Sequence, residues 1–137
     1  MVLQEDFFVR FWGVRGSIPC PSDSTLKYGG NTSTLEIRCG ENILIFDAGS
    51  GIRSLGQCLL KEKKENIKLF LSHTHLDHIC GFPFFGPAFV PSTNLEVWAG
   101  HLGSNYKIKD VLSSIMADPV WPVGIDIFQS KISFHDF

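Results

Sequence analysis

The chain has 137 residues, the length of one ordinary domain. A chain of that size buries roughly 68% of its unfolded surface, enough for a core without covalent staples. Hydrophobic residues make up 44% and charged residues 19%, which excludes a disordered, highly charged segment. Twelve Lys and Arg against fourteen Asp and Glu give a net charge of −2, so global charge gives no sign of a nucleic-acid or anionic-membrane binder.

The first residues, MVLQEDFFVRFW, place two acids before the first base, the reverse of a secretory leader. The longest apolar stretch, 79–90, holds Pro83 and Pro87 and is too short to span a bilayer. Cys20, Cys39, Cys58 and Cys80 form no CxxC pair, and they read as reduced, mostly buried thiols of a cytoplasmic protein.

Phe7 to Trp12 is rich in strand formers, with Phe7, Val9 and Phe11 on one face. A Pro- and Gly-bearing loop follows from Gly13 to Asn31. Thr32 to Arg38 alternates as a strand and turns through 39–42 into the apolar strand Ile43 to Phe46. Asp47 ends that strand. After the small residues 48–51 the spacing predicts a helix from Ile52 to about Lys63, with Ile52, Leu55, Leu59 and Leu60 inward. The charges at 61–65 read as its solvated end. Ile67 to Leu71 is a buried strand. A Phe- and Pro-rich segment, 81–91, precedes a strand at Leu95 to Ala99, a helix at Tyr106 to Ala117 and a last strand at Lys131 to Phe134. The order β-β-β-α-β-loop-β-α-β predicts a mixed α/β layered domain over residues 1–137.

Directly after Leu71 stands Ser72-His73-Thr74-His75-Leu76-Asp77-His78. Residues i and i+2 of an extended segment point the same way, so His73 and His75 can grip one ion. If the chain then turns helical, Asp77 and His78 project together. Imidazole nitrogen and carboxylate oxygen both suit Zn²⁺, while Mn²⁺ or Fe also accept mixed N/O donors. The alternative is a histidine-rich surface loop. Its position at the carboxyl end of a buried strand favours the metal nest.

HTHLDH at 73–78 resembles the HxHxDH signature of the metallo-β-lactamase superfamily. FWGVRGS (11–17), GGNTS (29–33), FDAGSG (46–51), GFPFF (81–85) and LEVWAG (95–100) are similar, in order, to its branch of cyclic-nucleotide phosphodiesterases and tRNA 3′-end processing nucleases. The resemblance implies half of a four-layer αββα sandwich, a mixed sheet with flanking helices. It implies His73 and His75 as ligands of a first metal and Asp77 and His78 as ligands of a second, up to two divalent ions, with zinc first in line. Asp47 resembles the acid that orients a ligand by hydrogen bonding; its other reading is a turn residue. The implied activity is hydrolysis of a phosphodiester or related ester by metal-bound hydroxide.

The superfamily's later ligands, a histidine, a bridging aspartate and a final histidine, have no match among His101, His135, Asp110, Asp118, Asp126 and Asp136. The sequence therefore reads as the N-terminal portion of the fold, with the C-terminal half absent from it. Two consequences are expected. Four ligands do not fill a bridged two-metal site. A bare apolar sheet face calls for a second copy or a separate C-terminal half to cover it. A catalytically silent metal-binding or interaction module stays open as a second reading, and a structural zinc module as a third. Nucleic acid enters only as a substrate, and no membrane partner is expected.

Among weaker features, Arg15 offers a phosphate contact or is merely solvated. The 48–51 loop either binds an anion at a helix start or just makes a turn. Phe82, Phe84, Phe85 and Phe89 read as core before they read as a pocket wall.

Overall fold

The computed structural model describes residues 7–137, so the leader reading of Met1 to Asp6 lies outside the described residues. Six strands form one mixed sheet: β1 (Phe7–Gly13), β2 (Thr34–Cys39), β3 (Asn42–Phe46), β4 (Asn66–Leu71), β5 (Asn94–Ala99) and β6 (Lys131–Asp136). They lie in chain order across the sheet. β1, β2 and β3 pair antiparallel, and β3 to β6 pair parallel. The β2–β3 turn is tight because Gly40 takes φ +55, which costs glycine little.

Three helices lie in the connections: α1 (Ile52–Lys61), α2 (Leu76–Ile79) and α3 (Ile108–Ile115). Parallel crossovers of one hand that all advance in one direction lie on one face of the sheet. The core reflects this. Ile43, Ile45, Ile67, Leu69, Leu95 and Val97 are buried together with Ile52, Leu55 and Leu59 of α1 and with Ile108 and Leu112 of α3. No helix among the described residues is long and apolar enough to cross a membrane.

Among the described residues the other face carries no helix. One row crosses all six strands in register: Phe11, Leu35, Phe46, Phe70, Trp98 and His135. Its rings stack in sequence, Phe46 on Phe70 at 5.3 Å, Phe70 on Trp98 at 6.1 Å and Trp98 on His135 at 4.0 Å between centroids. These side chains stay partly open to solvent, and Phe7, Val9 and Phe11 are exposed. The bare apolar face expected from the sequence is present.

Several local expectations need correction. Leu60 is 39% exposed, because Leu59 takes the inward position and the next residue sits 100° round the helix. Glu62 is no mere solvated end: its Oε2 accepts from Arg38 at 2.8 Å. None of the four free cysteines is buried, since Cys20 sits in the long loop and Cys39 at the hairpin turn, while Cys58 and Cys80 are half-buried. Phe82 and Phe85 are core, but Phe84 and Phe89 reach the surface at the ends of two short 3₁₀ turns.

Candidate metal centre

β3 and β4 end side by side, and the site grows from those two ends. Asp47, the residue after β3, takes φ +65, a left-handed conformation that aspartate tolerates better than most residues. Its N–H donates to Phe70 O at 2.9 Å, which ties it to β4. Its carboxylate is 6% exposed as a residue and holds both ends of the His-rich segment. Oδ1 accepts from Ser72 N–H and Ser72 Oγ–H, both at 2.8 Å. Oδ2 faces His78 Nδ1 at 2.8 Å.

A carboxylate oxygen opposite Nδ1 favours donation from that nitrogen of His78, which leaves Nε2 as the ring nitrogen facing Asp77. Ser72 Oγ, donating to Asp47, accepts in turn from His73 Nδ1 at 3.1 Å, so His73 also presents Nε2 outward. Burial first, then the neighbouring His78 and His75, holds the His73 imidazole below its ordinary pKa, against the pull of Asp47 and Asp77. A neutral imidazole is the form that donates to a metal.

His73 and Thr74 lie outside any helix or strand, His75 is extended, and the chain turns helical at Leu76. The His73 and His75 rings lie 4.5 Å apart, and the His73 and His78 rings 4.0 Å apart. His78 Nε2 stands 3.4 Å from Asp77 Oδ2. Two ligands on one tetrahedral ion at about 2.1 Å are themselves about 3.4 Å apart, so this pair already has the bite of a shared metal. The donor set therefore fits a divalent ion in halves. Among the described residues no three His, Cys, Asp or Glu side chains form a complete metal-binding group.

The structure adds residues that the sequence did not mark. Ser17 N–H donates to Asp77 Oδ2 at 2.8 Å, from a residue held at φ +68. That bond is the leading cause of an Asp77 carboxyl held below its usual range, with desolvation opposing. Ser17 lies 60 positions away in sequence, and no local signal marks such a contact. Ser72 is the second addition, visible only as a hydroxyl beside the motif. His101, which matches no later ligand in sequence, lies beside the segment: its Nε2 meets Thr74 Oγ1 at 3.2 Å. His135 stays apart, stacked on Trp98, and Asp136 accepts from the Ile108 N–H at the start of α3.

The 48–51 loop makes a turn and binds no anion through its first amides. Ala48 N–H donates to His78 O at 2.7 Å, Gly49 N–H to Ser33 O at 2.9 Å and Ser50 N–H to Thr32 Oγ1 at 2.8 Å. A Cβ on Gly49 would come within 2.5 Å of Asp77 O, so glycine lets this loop lie against the metal segment. Beside it, an open cleft of about 370 Å³ is lined by Phe11, Val14, Arg15, Ser33 and His78.

No family model matches the chain. A stretch of 72 residues, 52% of the chain, is 42% identical to Ribonuclease Z of Treponema pallidum and takes in 21% of that enzyme's length. Among solved structures, the metallo-β-lactamase fold protein YhfI from Bacillus subtilis aligns with 71% of this chain and 37% of its own, at 24% identity and a TM-score of 0.54. A diphosphatase of the PhnP family aligns with 96% of this chain and 51% of its own, at 16% identity and a TM-score of 0.60. The short form of human tRNase Z aligns with 94% and 46%, at 23% identity and a TM-score of 0.54. The chain thus spans about a fifth of the curated relatives it matches and about half of the two structures that cover nearly all of it. Its mixed six-stranded sheet, with helices on one face, is part of a metallo-β-lactamase fold.

Proposed function

We propose that residues 1–137 form one domain, the N-terminal portion of a metal-dependent hydrolase that cleaves a phosphodiester or related ester. The observation that carries this reading is the Asp47 carboxylate, which turns His78 through Nδ1 and reaches His73 through Ser72. Two imidazoles are thereby aimed outward by Nε2, beside Asp77 and His75. His73 and His75 would hold one divalent ion, zinc first, and Asp77 and His78 a second. When bound, such ions supply Lewis acidity and an acidified water.

The rest is the work of this chain's own residues. Asp47 keeps both histidines in the donor tautomer. Ser17 N–H holds the Asp77 carboxylate by Oδ2, the oxygen that stands 3.4 Å from His78 Nε2. Arg15, at the rim of the cleft that ends on His78, is placed to meet an anionic substrate. In a preparation that hydrolyses a chromogenic phosphodiester, His75→Ala and Asp77→Ala are expected to abolish turnover. Unchanged turnover in both variants would sink the mechanism.

A second reading has its own observation. Among the described residues no three donors meet, and none of those residues covers the aromatic sheet face. Both fit a catalytically silent metal-binding or interaction module, which turnover by the purified chain, abolished by chelator, would dismiss. Under either reading a second copy or a separate C-terminal half covers the open face and, for a hydrolase, brings the missing donors. The T. pallidum relative is a ribonuclease by name, so an RNA end is one candidate substrate, alongside other phosphodiesters.

A further inference from the structure

The long loop between β1 and β2 makes a sharp bend beside the metal segment, and that bend stands on a fixed frame. Arg15 N–H donates to Asn31 O at 2.9 Å, and Cys20 N–H donates to Gly30 O at 2.8 Å. These two bonds anchor the outgoing limb of the loop to its returning limb on either side of residues 16–19. The limbs touch backbone to backbone: a Cβ on Gly30 would lie 2.5 Å from Pro21 N, and one on Gly13 would lie 1.7 Å from Thr32 O. Thr32 is tied in turn to the loop after β3, since its N–H donates to Ser50 Oγ at 2.9 Å.

Ser17 stands at the apex of the bend. Ile18 N–H donates to Gly16 O at 2.9 Å, and Ser17 between them takes φ +68. A bond from i+2 back to i around a residue of positive φ is the rare, strained form of the γ-turn. The side chain does not explain that conformation. Ser17 is exposed, and among the described residues its hydroxyl makes no hydrogen bond. What the turn delivers is the amide, which donates to Asp77 Oδ2 at 2.8 Å, and that oxygen stands 3.4 Å from His78 Nε2. Strained backbone persists where the surrounding structure over-determines it, and it gathers where a ligand is to be held.

We propose that the strained turn at Ser17 is a positioning device for Asp77: it sets Oδ2 beside His78 Nε2 before a divalent ion arrives, and it does so through backbone shape alone. The proposal rests on the reading of Asp77 as a metal ligand. A carboxylate already held in one orientation loses little rotamer freedom when the ion binds, so affinity rises by the share of orientations excluded beforehand. Ser17 acts through Asp77 and is no ligand itself.

Two measurements on the full chain test it. The first contains no metal. In chelator-treated protein the Ser17 amide should exchange its hydrogen at least about tenfold more slowly than in Asp77→Ala, followed by NMR. The second is a Co²⁺ titration followed by visible absorption. Ser17→Val, whose branched side chain does not tolerate φ +68, should lower Co²⁺ affinity about tenfold and change the absorption envelope. Ser17→Gly and Ser17→Asn keep the N–H and accept positive φ, so both should bind Co²⁺ as the parent does. Ser17→Gly should also unfold at a higher urea concentration, because glycine relieves the strain. A residue that served only the fold would make affinity follow stability; here glycine gains stability without gaining affinity. Amide spectra verify the fold of each variant. Equal exchange of the Ser17 amide in the parent and Asp77→Ala, or one Co²⁺ affinity across parent, valine and glycine variants, would overturn the proposal and leave the metal reading standing. A parent that binds no Co²⁺ would overturn both.

Discussion

Two carboxylates sit in the same sheet, and they are closed off in opposite ways. Glu36, in the middle of β2, is fully buried. Its Oε2 accepts from Trp12 Nε1 at 2.7 Å, and its Oε1 accepts from Arg38 Nε. Arg38 passes its second bond to Glu62 of the α1 end, and Cys58 Sγ–H completes Glu62. Every member of that group answers another within the chain, and the group meets solvent only at its edge, at Glu62 and at Arg10, whose guanidinium stands 3.9 Å from Glu36 Oε2. Asp47, at the end of β3, also holds its neighbours through both oxygens. Its last partner is His78, whose Nε2 faces outward toward Asp77 and the cleft. A closed network fastens the β1–β2 hairpin to α1. An open one leaves His78 Nε2 facing Asp77 and the cleft, and there chemistry has room to enter.

Breaking the closed network should have the largest effect. Glu36→Ala leaves Arg38 and the Trp12 indole N–H buried without their acceptor, and about 3–5 kcal/mol of folding stability should be lost. Urea unfolding measures it, and the metal affinity of the folded fraction should stay at the parent value. A loss below about 1 kcal/mol would mean that the hairpin does not depend on this pair.

Disturbing the open network should do the reverse. Asp47→Asn keeps the shape and tolerates φ +65, but it removes the charge that fixes the two histidine tautomers. Metal affinity, measured by competition with a chromogenic chelator, should fall about 10- to 100-fold, with a stability change smaller than that of Glu36→Ala. Unchanged affinity would reduce Asp47 to a turn residue.

The uncovered face gives a third, smaller effect. At micromolar concentration, size-exclusion with light scattering should report a mass above that of one chain. Val9→Glu, placed among the open residues of β1, should return it to one chain with little loss of stability. A monomeric parent would remove self-association from the account.

The smallest effect is a pH term at Glu62. Burial works against the charge of Glu62, but the bonds from Arg38 and Cys58 win and hold the carboxyl below its usual range. Arg38 is held above its own ordinary value, burial opposing and Glu62 and Glu36 prevailing. A carboxyl depressed in the folded state stabilises above its unfolded pKa and loses that contribution as pH falls through the folded value. Glu62→Gln should therefore flatten part of the stability loss on acidification below the ordinary carboxylate range, and should leave stability above pH 7 only slightly lower. An identical acid profile in the variant would contradict the pairing.

Much of this was legible in the sequence for a physical reason: it is local. The i, i+2 spacing of His73 and His75, the helical turn carrying Asp77 and His78, and the apolar strand stopping at Asp47 all act over a few residues. Contacts across the fold were not legible. Nothing near Ser17 announces a bond to Asp77, and nothing near Glu36 announces Trp12, because both depend on how distant strands and loops come together. β2 is the sharpest case. In TLEIRC the buried side is Thr34, Glu36 and Arg38, while Leu35 and Ile37 lie on the open face. Alternation alone would assign the apolar residues inward. Only the partners on β1 and α1 make the polar side buriable.

The central claim is that one carboxylate, Asp47, arms a metal segment that this chain presents to the outside. Elemental analysis of protein purified without added metal or chelator tests it most directly. The account predicts about one to two transition-metal ions per chain, lost in a His73→Ala/His78→Ala variant that still folds. No bound metal in the parent, or the same content in the variant, would contradict it.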